Sequence, residues 1–564
     1  MVQTGVLKSH FGPPMPSLSK SKLLAYRQCP KRVWLEVHRP KLREDSAQTQ
    51  AAFAIGHGVG ALARRLYDPE GAGSLIDVGR EGFRVALART QDLVASSSSP
   101  IFEAGFAAAG GLAFADILLP VMAPAARAWR MIEIKASGGL KLYHRDDAAI
   151  QHYVATQAGV PLAQIAVGHI DTSWVYPGDD RYEGIFVEKN LTAEASARHA
   201  EVAQWIADAQ VLLASDTPPV RSTGPHCSEP YECGFLKSCR GDEPEVEHPV
   251  TWLPRLQNTP LREFVAQAGI RSLEQVPDEL LNTLQRRVKE HTLAGTVYFD
   301  APAAAAELAR APLPALFLDF ETIAFAVPIW AGTRPYQQIP FQYSLHRLAA
   351  DGKLGHHAFL DLSGEDPSRR IAEDLVRECA GEAPVFAYNK GFEGRCLSYL
   401  ADRFEDLRPT LLDIADRLCD LLPIVRQTYY HPSQQGSWGL KSVLPALVPD
   451  LSYAALEGVR DGATAQDAYA KAVHPDATAE GRAEIERQLL AYCHLDTLAM
   501  VRLREVLLST ATQAAIPVPA STGLPAGQVT TGAFLLETSR GKPWGPGGCS
   551  TETSDKSAVC SDGT

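Results

Sequence analysis

The hydrophobic pattern changes period along this chain, and each change marks an element. Residues 18–36 space their apolar positions at helical intervals, with Ser19 or Ser21 placed to cap the first turn. A second helical pattern covers 53–67. It holds Gly56, Gly58 and Gly60, small residues that suit close packing or a substrate backbone. Short apolar runs at 101–107, 112–119 and 129–136 read as strands. Gly110-Gly111 is a hairpin turn signal between the first two, and 120–127 is a loop. Residues 144–157 return to the helical period. Between 241 and 312 the patterns at 261–269 and 277–293 are helical, and no strand is predicted. From 315 onward strands and helices alternate. The apolar run 315–322 and the alternation of Phe341, Tyr343 and Leu345 predict strands, as does 385–388. Residues 371–379, most of 411–430, and 484–508 predict helices. The Pro- and Gly-containing residues 1–16 and the Gly-, Ser-, Thr- and Pro-rich residues 513–564 predict disordered ends.

The apolar pattern meets chemistry in Ala315-Leu316-Phe317-Leu318-Asp319-Phe320-Glu321-Thr322. Strand alternation puts Asp319 and Glu321 on one face. Two carboxylates so placed repel each other unless a cation lies between them, and Mg²⁺ or Mn²⁺ prefers such oxygen ligands. Taken alone, the pair reads better as two solvated strand carboxylates than as a metal site. Tyr492 and Asp496, four apart in the last helical pattern, share a face. Between Glu321 and Tyr492 lies Val385-Phe386-Ala387-Tyr388-Asn389-Lys390-Gly391-Phe392-Glu393, a strand running into a turn with an acid after it.

In order and spacing these segments resemble the DEDD 3′–5′ exonucleases of the ribonuclease H-like (DnaQ-type) fold, in the version with YxxxD on the last helix. Glu393 stands where that pattern has Asp. The resemblance implies a two-metal phosphodiesterase. One ion would be held by Asp319, Glu321 and Asp496, the other mainly by Asp319 with Glu393 nearby, about 3.5–4 Å apart. Tyr492 would orient the attacking water or act as general base. An ordinary Tyr pKa near 10 favours orientation. Trp330, Tyr336 and Phe341 are candidates either to stack bases or to pack a core. The loop 436–441 would open a helix suited to phosphate.

Ten cysteines in a chain without a secretory signal suggest metal or redox chemistry before disulfides. Cys227, Cys233 and Cys239 cluster, and Cys29 stands apart near the start. The strands between them carry Asp116, then Glu133-Ile134-Lys135, with Gln151 and Tyr153 on the next helix. The combination resembles the RecB-family PD-(D/E)XK nucleases with an iron–sulfur cluster, as in CRISPR spacer-acquisition nucleases and AddB-type subunits. That resemblance implies a [4Fe–4S] clasp on Cys29, Cys227, Cys233 and Cys239. It also implies Mg²⁺ or Mn²⁺ on Asp116 and Glu133, Lys135 steadying the attacking water and developing charge, and Gln151 as a family site residue. Glu103 is a candidate outer ligand. His57 is a weak match to the family's motif histidine, for which the better register offers Gly60. A structural zinc site is the alternative for the cysteines, but none of their gaps has the C-x₂₋₄-C spacing it favours.

A length of 564 residues exceeds one core and predicts two or three domains. The α/β reading is a restriction-endonuclease-like domain at 18–240, a helical connector at 241–312, a ribonuclease H-like domain at 313–512 and the tail. Without a run of about 20 apolar residues no membrane span is expected, and the chain is expected to be cytoplasmic. The net charge of −12 excludes a uniformly basic surface. Lys8, Lys20, Lys22, Arg27, Lys31, Arg32, Arg39, Lys41 and Arg43 are concentrated early enough to form a local phosphate-facing patch. From 315 to 505 the chain also resembles an uncharacterised bacterial family fused to RecB-like modules. The segments that carry this likeness are Asp319-x-Glu321-Thr322, Pro335 through Tyr343, Asn389 through Glu393, Tyr430-His431-Pro432 and Tyr492 through Thr497. The expected partner is nucleic acid, DNA before RNA, with repair or defence proteins as further partners. Two rivals remain: an Fe–S module that grips DNA beside a single exonuclease site, and an RNA-processing exonuclease.

Overall fold

The computed structural model describes residues 17–122, 127–256 and 260–509. The expected disordered ends, with Lys8, Cys549 and Cys560, lie outside the described residues. The architecture is mixed α/β and contains two larger sheets.

The first sheet takes β1 (Leu18–Ser19), β2 (Ser74–Leu75), β3 (Ile101–Ala108), β4 (Gly111–Met122), β5 (Arg127–Lys135), β6 (Leu162–Ile170) and β7 (Phe186–Asn190), in the order β2-β3-β4-β5-β6-β7 with β1 on β4. The β3–β4–β5 meander is antiparallel and β5–β6 is parallel. A parallel pair requires a crossover, and the helix Leu142–Gln157 supplies it. Its Ile150, Val154 and Ala155 pack on Trp129, Met131 and Ile165 in one core. Ser19 caps the helix Lys20–Gln28 through the Lys22 amide. The helical pattern read across 18–36 is broken at Cys29, where extended backbone separates that helix from Pro30–His38. β6 and β7 were not among the strands expected from the sequence. Gly56, Gly58 and Gly60, on the helix Ala47–Tyr67, have no atom of the described residues within 4 Å of where a Cβ would stand, so close packing among those residues does not require them.

β8 (Tyr298–Phe299) begins the second half by pairing with β14 (Tyr429–Tyr430), a small ladder where only helices and turns were expected. The second sheet has β9 (Ala315–Ile323) at its centre. β10 (Ile339–Leu348) and β11 (Leu354–Leu360) lie antiparallel on one side. β12 (Val385–Ala387) and β13 (Leu418–Asp420) lie parallel on the other. β13 interrupts the stretch 411–430, which reads as helix in sequence and divides into Arg408–Asp416, β13, Leu421–Thr428 and β14. Leu316, Leu318 and Phe320 face the helices Ser368–Glu378 and Gly391–Arg403, while Ala315 and Phe317 face the long helix Ala479–Leu508. Burial on both faces explains why β9 reads as a continuous apolar run.

The two sheets are joined by more than the connector. The segment after β9 docks on the first sheet: the Tyr176 amide donates to the Thr333 carbonyl at 2.9 Å, and the Gly332 amide donates back to Tyr176 at 2.8 Å. Tyr182 donates to the Pro328 carbonyl at 3.0 Å, and Ala326 enters the core cluster of Ile132, Tyr176 and Tyr182.

Candidate functional site

Alternation along β9 continues the row Ala315, Phe317 into Asp319 and Glu321, so the carboxylates face the helix Ala479–Leu508 where the apolar row ends. That helix presents Tyr492, Cys493 and Asp496 to them. One oxygen from each of Asp319, Glu321 and Asp496 lies within 4.8 Å of the others, with Glu321 and Asp496 buried. Burial, followed by the charges of Asp496, Glu321 and Glu393, holds the Asp319 carboxyl well above the usual range. Burial and then Asp496 push Glu321 up to about 8. Burial raises Asp496 to about 6 against the pull of its hydrogen bonds and of Lys441. Three buried carboxyls this close cannot all ionise without a cation among them.

Glu393 sits in the first turn of the helix Gly391–Arg403, following Asn389 at φ 73°. It is buried, its Oε2 has no hydrogen-bond partner among the described residues, and burial pushes it up to about 8. Its charge acts on Asp319, but its oxygens stand outside the three-carboxylate group. Tyr492 lies beside Asp496 and receives a hydrogen bond at 3.2 Å from Lys441 Nζ, which also stands 4.8 Å from the Tyr492 ring centre. With burial and three acids around it, the Tyr492 hydroxyl keeps its proton far above neutral pH. It is therefore an orienting donor rather than a base. Sequence reasoning missed Tyr453, whose hydroxyl donates to Asp496. Nothing in its local pattern marks it. Lys441 was legible only as the end of a candidate phosphate loop.

In the first sheet, the β4–β5 pairing and the following helix bring Asp116, Glu133, Lys135 and Gln151 together. Asp116 Oδ2 accepts the Ile134 amide at 2.7 Å, and burial, then Glu133, pushes Asp116 up to about 8. Lys135 Nζ donates to Glu133 at 2.6 Å and to Asp147. Gln151 donates to Glu133 at 2.6 Å and to Asp147 at 2.9 Å. Lys20, from the first helix, reaches Glu133 at 2.6 Å and Asp147 at 3.2 Å. Burial opposes its charge, but Asp147 and Glu133 outweigh that and raise Lys20 to about 12. Asp147 is held well below the carboxylate range, because Lys135 and Lys20 overcome its burial. Lys20 was read as part of a basic patch and not as a partner of these acids, and Asp147 escaped the sequence reading. Asp147, four residues before Gln151 on one helix face, carried a signal that would have found it.

Cys29, Cys227, Cys233 and Cys239 are free thiols lining one pocket, whose empty space is about 330 Å³ counted with its opening to solvent. Gln28 holds the pocket closed: its amide donates to the carbonyls of His226 at 2.8 Å and Tyr231 at 2.7 Å. Burial raises the Cys233 and Cys239 thiols, and neighbouring thiolates add to the rise. Four thiols lining one pocket are a donor set of the kind a soft or borderline metal centre takes, although no three of them bring their sulfurs within 4.8 Å of one another.

Other expected residues take different places. Phe341 is fully buried, with its ring centre 4.0 Å from that of Tyr469, and Trp330 joins the same core, so neither is free to stack a base. Tyr336 packs against the first sheet's core. Tyr153 packs on the first core and against His199. His57 is exposed on its helix. Glu103 pairs with Arg64 at 3.6 Å. Five of the early cations are taken up by acids: Lys20 enters the acid centre, Arg27 pairs with Asp146, Lys31 with Asp242, Arg32 with Glu36 and Arg43 with Asp45. Arg39 and Lys41 are exposed.

Among known families, a model described as a domain of unknown function, DUF2779, matches residues 316–439. The match spans most of the second sheet with Asp319, Glu321 and Glu393. It stops before Tyr453, Tyr492 and Asp496 and leaves the first sheet outside. No curated protein matches the chain. No described helix is long and apolar enough to cross a membrane.

Proposed function

We propose that this chain is a metal-dependent nuclease whose principal site, on β9, digests single-stranded DNA from the 3′ end. The observation that carries this reading is the convergence of Asp319, Glu321 and Asp496 within 4.8 Å in a buried setting. The donor set fits Mg²⁺ or Mn²⁺: it is all oxygen, its carboxyls are driven toward protonation in the ion's absence, and Glu393 has an unpartnered buried oxygen beside it. When bound, such ions polarise the phosphodiester and lower the pKa of water. Around them Tyr453 and Tyr492 hold Asp496, and Lys441 keeps Tyr492 oriented while offering positive charge to a phosphate.

The first sheet would be a RecB-like module. Cys29, Cys227, Cys233 and Cys239 would hold a [4Fe–4S] cluster that clasps the first helices to the segment after the sheet. A specific observation favours the rival in which this module grips DNA without cutting. Lys20 and Lys135 both engage Glu133, and Asp116 with Glu133 forms no three-ligand group of the kind seen on β9.

The test is digestion of 5′- and 3′-labelled single- and double-stranded DNA and RNA with Mg²⁺ or Mn²⁺. It compares the wild type with Asp319→Ala, Glu133→Ala and the double variant. Asp319→Ala should abolish 3′-end digestion while the protein stays folded. Normal 3′ digestion by that variant refutes the assignment. If Asp319→Ala is inactive on every substrate, the first module is a grip. If Glu133→Ala alone removes all activity, the principal centre has been placed in the wrong sheet. Preference for RNA would move the function to RNA processing.

A further inference from the structure

A second ligand cluster lies on the same face of the second sheet, displaced from the carboxylates toward its antiparallel edge. His346 on β10 and His356 on β11 are direct cross-strand partners, and His494 comes down on them from the helix Ala479–Leu508. The ring centres are 4.5 Å (His346–His356), 4.8 Å (His346–His494) and 4.3 Å (His356–His494) apart. One ring nitrogen from each lies within 4.8 Å of the other two.

One ring nitrogen of each strand histidine is already committed. Thr497 Oγ1 is 2.8 Å from His346 Nδ1, and Ser344 Oγ is 2.9 Å from His356 Nε2. The two hydroxyls, both fully buried, are 2.7 Å from each other. Among the described residues that leaves Nε2 of His346 and Nδ1 of His356 without a hydrogen bond, and the His494 ring has no hydrogen-bond partner. Outer hydrogen bonds of this kind fix the orientation of ligating imidazoles. A cluster that served packing alone would not need a buried Ser–Thr pair to aim it.

We propose that His346, His356 and His494 form a three-histidine site for a divalent transition-metal ion of the Zn²⁺ class, open to solvent past His356. Three neutral imidazoles suit Zn²⁺, Co²⁺ or Ni²⁺ and give Mg²⁺ nothing it prefers, so the site selects a different ion from the all-oxygen centre. The ion would pin the β10–β11 hairpin to the helix that carries Asp496, two residues beyond His494. Ser344 is the cross-strand partner of Asp319, so the pin and the acid centre share a strand pair. The site stands on the histidines alone and is independent of the nuclease reading.

The test uses the full chain, stripped with chelator and titrated with Co²⁺ alone and with Zn²⁺ alone, counting bound equivalents. Wild type should bind one equivalent more than His356→Ala, an exposed position where the fold is kept, as unchanged circular dichroism will show. His494→Ala should lose the same equivalent. Asp319→Ala should retain it, which separates this ion from the carboxylate centre. Its Co²⁺ spectrum should show d–d bands without thiolate charge transfer, which separates it from the cysteine pocket. Ser344→Ala should weaken binding by about 10-fold through the loss of His356 orientation. Equal counts and affinities in wild type and both histidine variants overturn the proposal, as does loss of the equivalent in Asp319→Ala alone.

Discussion

Replacing Glu321 by Gln should stabilise the metal-free protein at pH 8 and leave it unchanged near pH 4. Glu321 is pushed from 4.5 to about 8 by burial, then by Asp496 and Asp461, with Lys441 opposing. The sign follows from the raised value. The folded state holds the proton more tightly than the unfolded chain does, so stability from this group is complete below about pH 4.5 and is lost as pH climbs to 8. At about 1.4 kcal/mol for each tenfold change in proton affinity, the loss at pH 8 is about 4 kcal/mol. Gln keeps the volume and a polar head and cannot ionise, so it removes that loss. Thermal unfolding of the full chain in EDTA, at pH 5 and pH 8, gives the comparison. Hydrogen exchange of peptides spanning β9 localises it, comparing variant with wild type at the same pH. Mn²⁺ should stabilise wild type at pH 8, where binding displaces the proton, and should do much less for Glu321→Gln. If wild type and Glu321→Gln unfold together at pH 8 in EDTA, the carboxylates are not forced against one another and the metal-centre argument fails with them.

Anaerobically purified protein should be brown and lose its colour in Cys29→Ala. That variant should also loosen residues 18–240 while leaving β9 protected from exchange, and colourless wild type with stoichiometric zinc would refute the cluster. Lys20→Ala should destabilise the metal-free chain by about 2 kcal/mol, because it strips a cation from the buried acids Glu133 and Asp147. The figure lies below the fully buried case because 20% of the Lys20 side chain is exposed. Mn²⁺ should restore part of the loss by taking the vacated place on Glu133. Unfolding of Lys20→Ala at the wild-type midpoint without metal would show that Lys20 does not hold the first acid centre.

The local chemistry was legible because it depends on short-range period. An apolar run of β9's length, buried on both faces, fixes strand and alternation together, so Asp319 and Glu321 had to share a face. The i, i+4 relation did the same for Tyr492 and Asp496. The strands 101–107, 112–119 and 129–136 and their hairpin turn were read for the same reason; in the structure residues 120–122 and Arg127 of the expected loop belong to β4 and β5, and β5 ends at Lys135. The elements that escaped were those whose signal is not local. β13 is three residues set between two helices, and its place is decided by pairing with β12, not by its own propensity. The aromatic residues Trp330 and Phe341 carried no label for inside or outside; packing on Tyr469 settled it. Tyr453 reaches Asp496 across 43 residues and Lys20 reaches Glu133 across 113, separations at which no spacing rule operates. Arg27 and Lys31 look like part of a patch until Asp146 and Asp242, distant in sequence, are brought beside them. Sequence alone thus determined which residues carry acid, thiol and imidazole and which face of its own element each occupies. Only the tertiary structure decided which faces meet: long-range packing, against the entropy cost of closing the intervening loops, brings Asp319 to Asp496, Cys29 to Cys239 and His346 to His494, and no local period encodes those encounters.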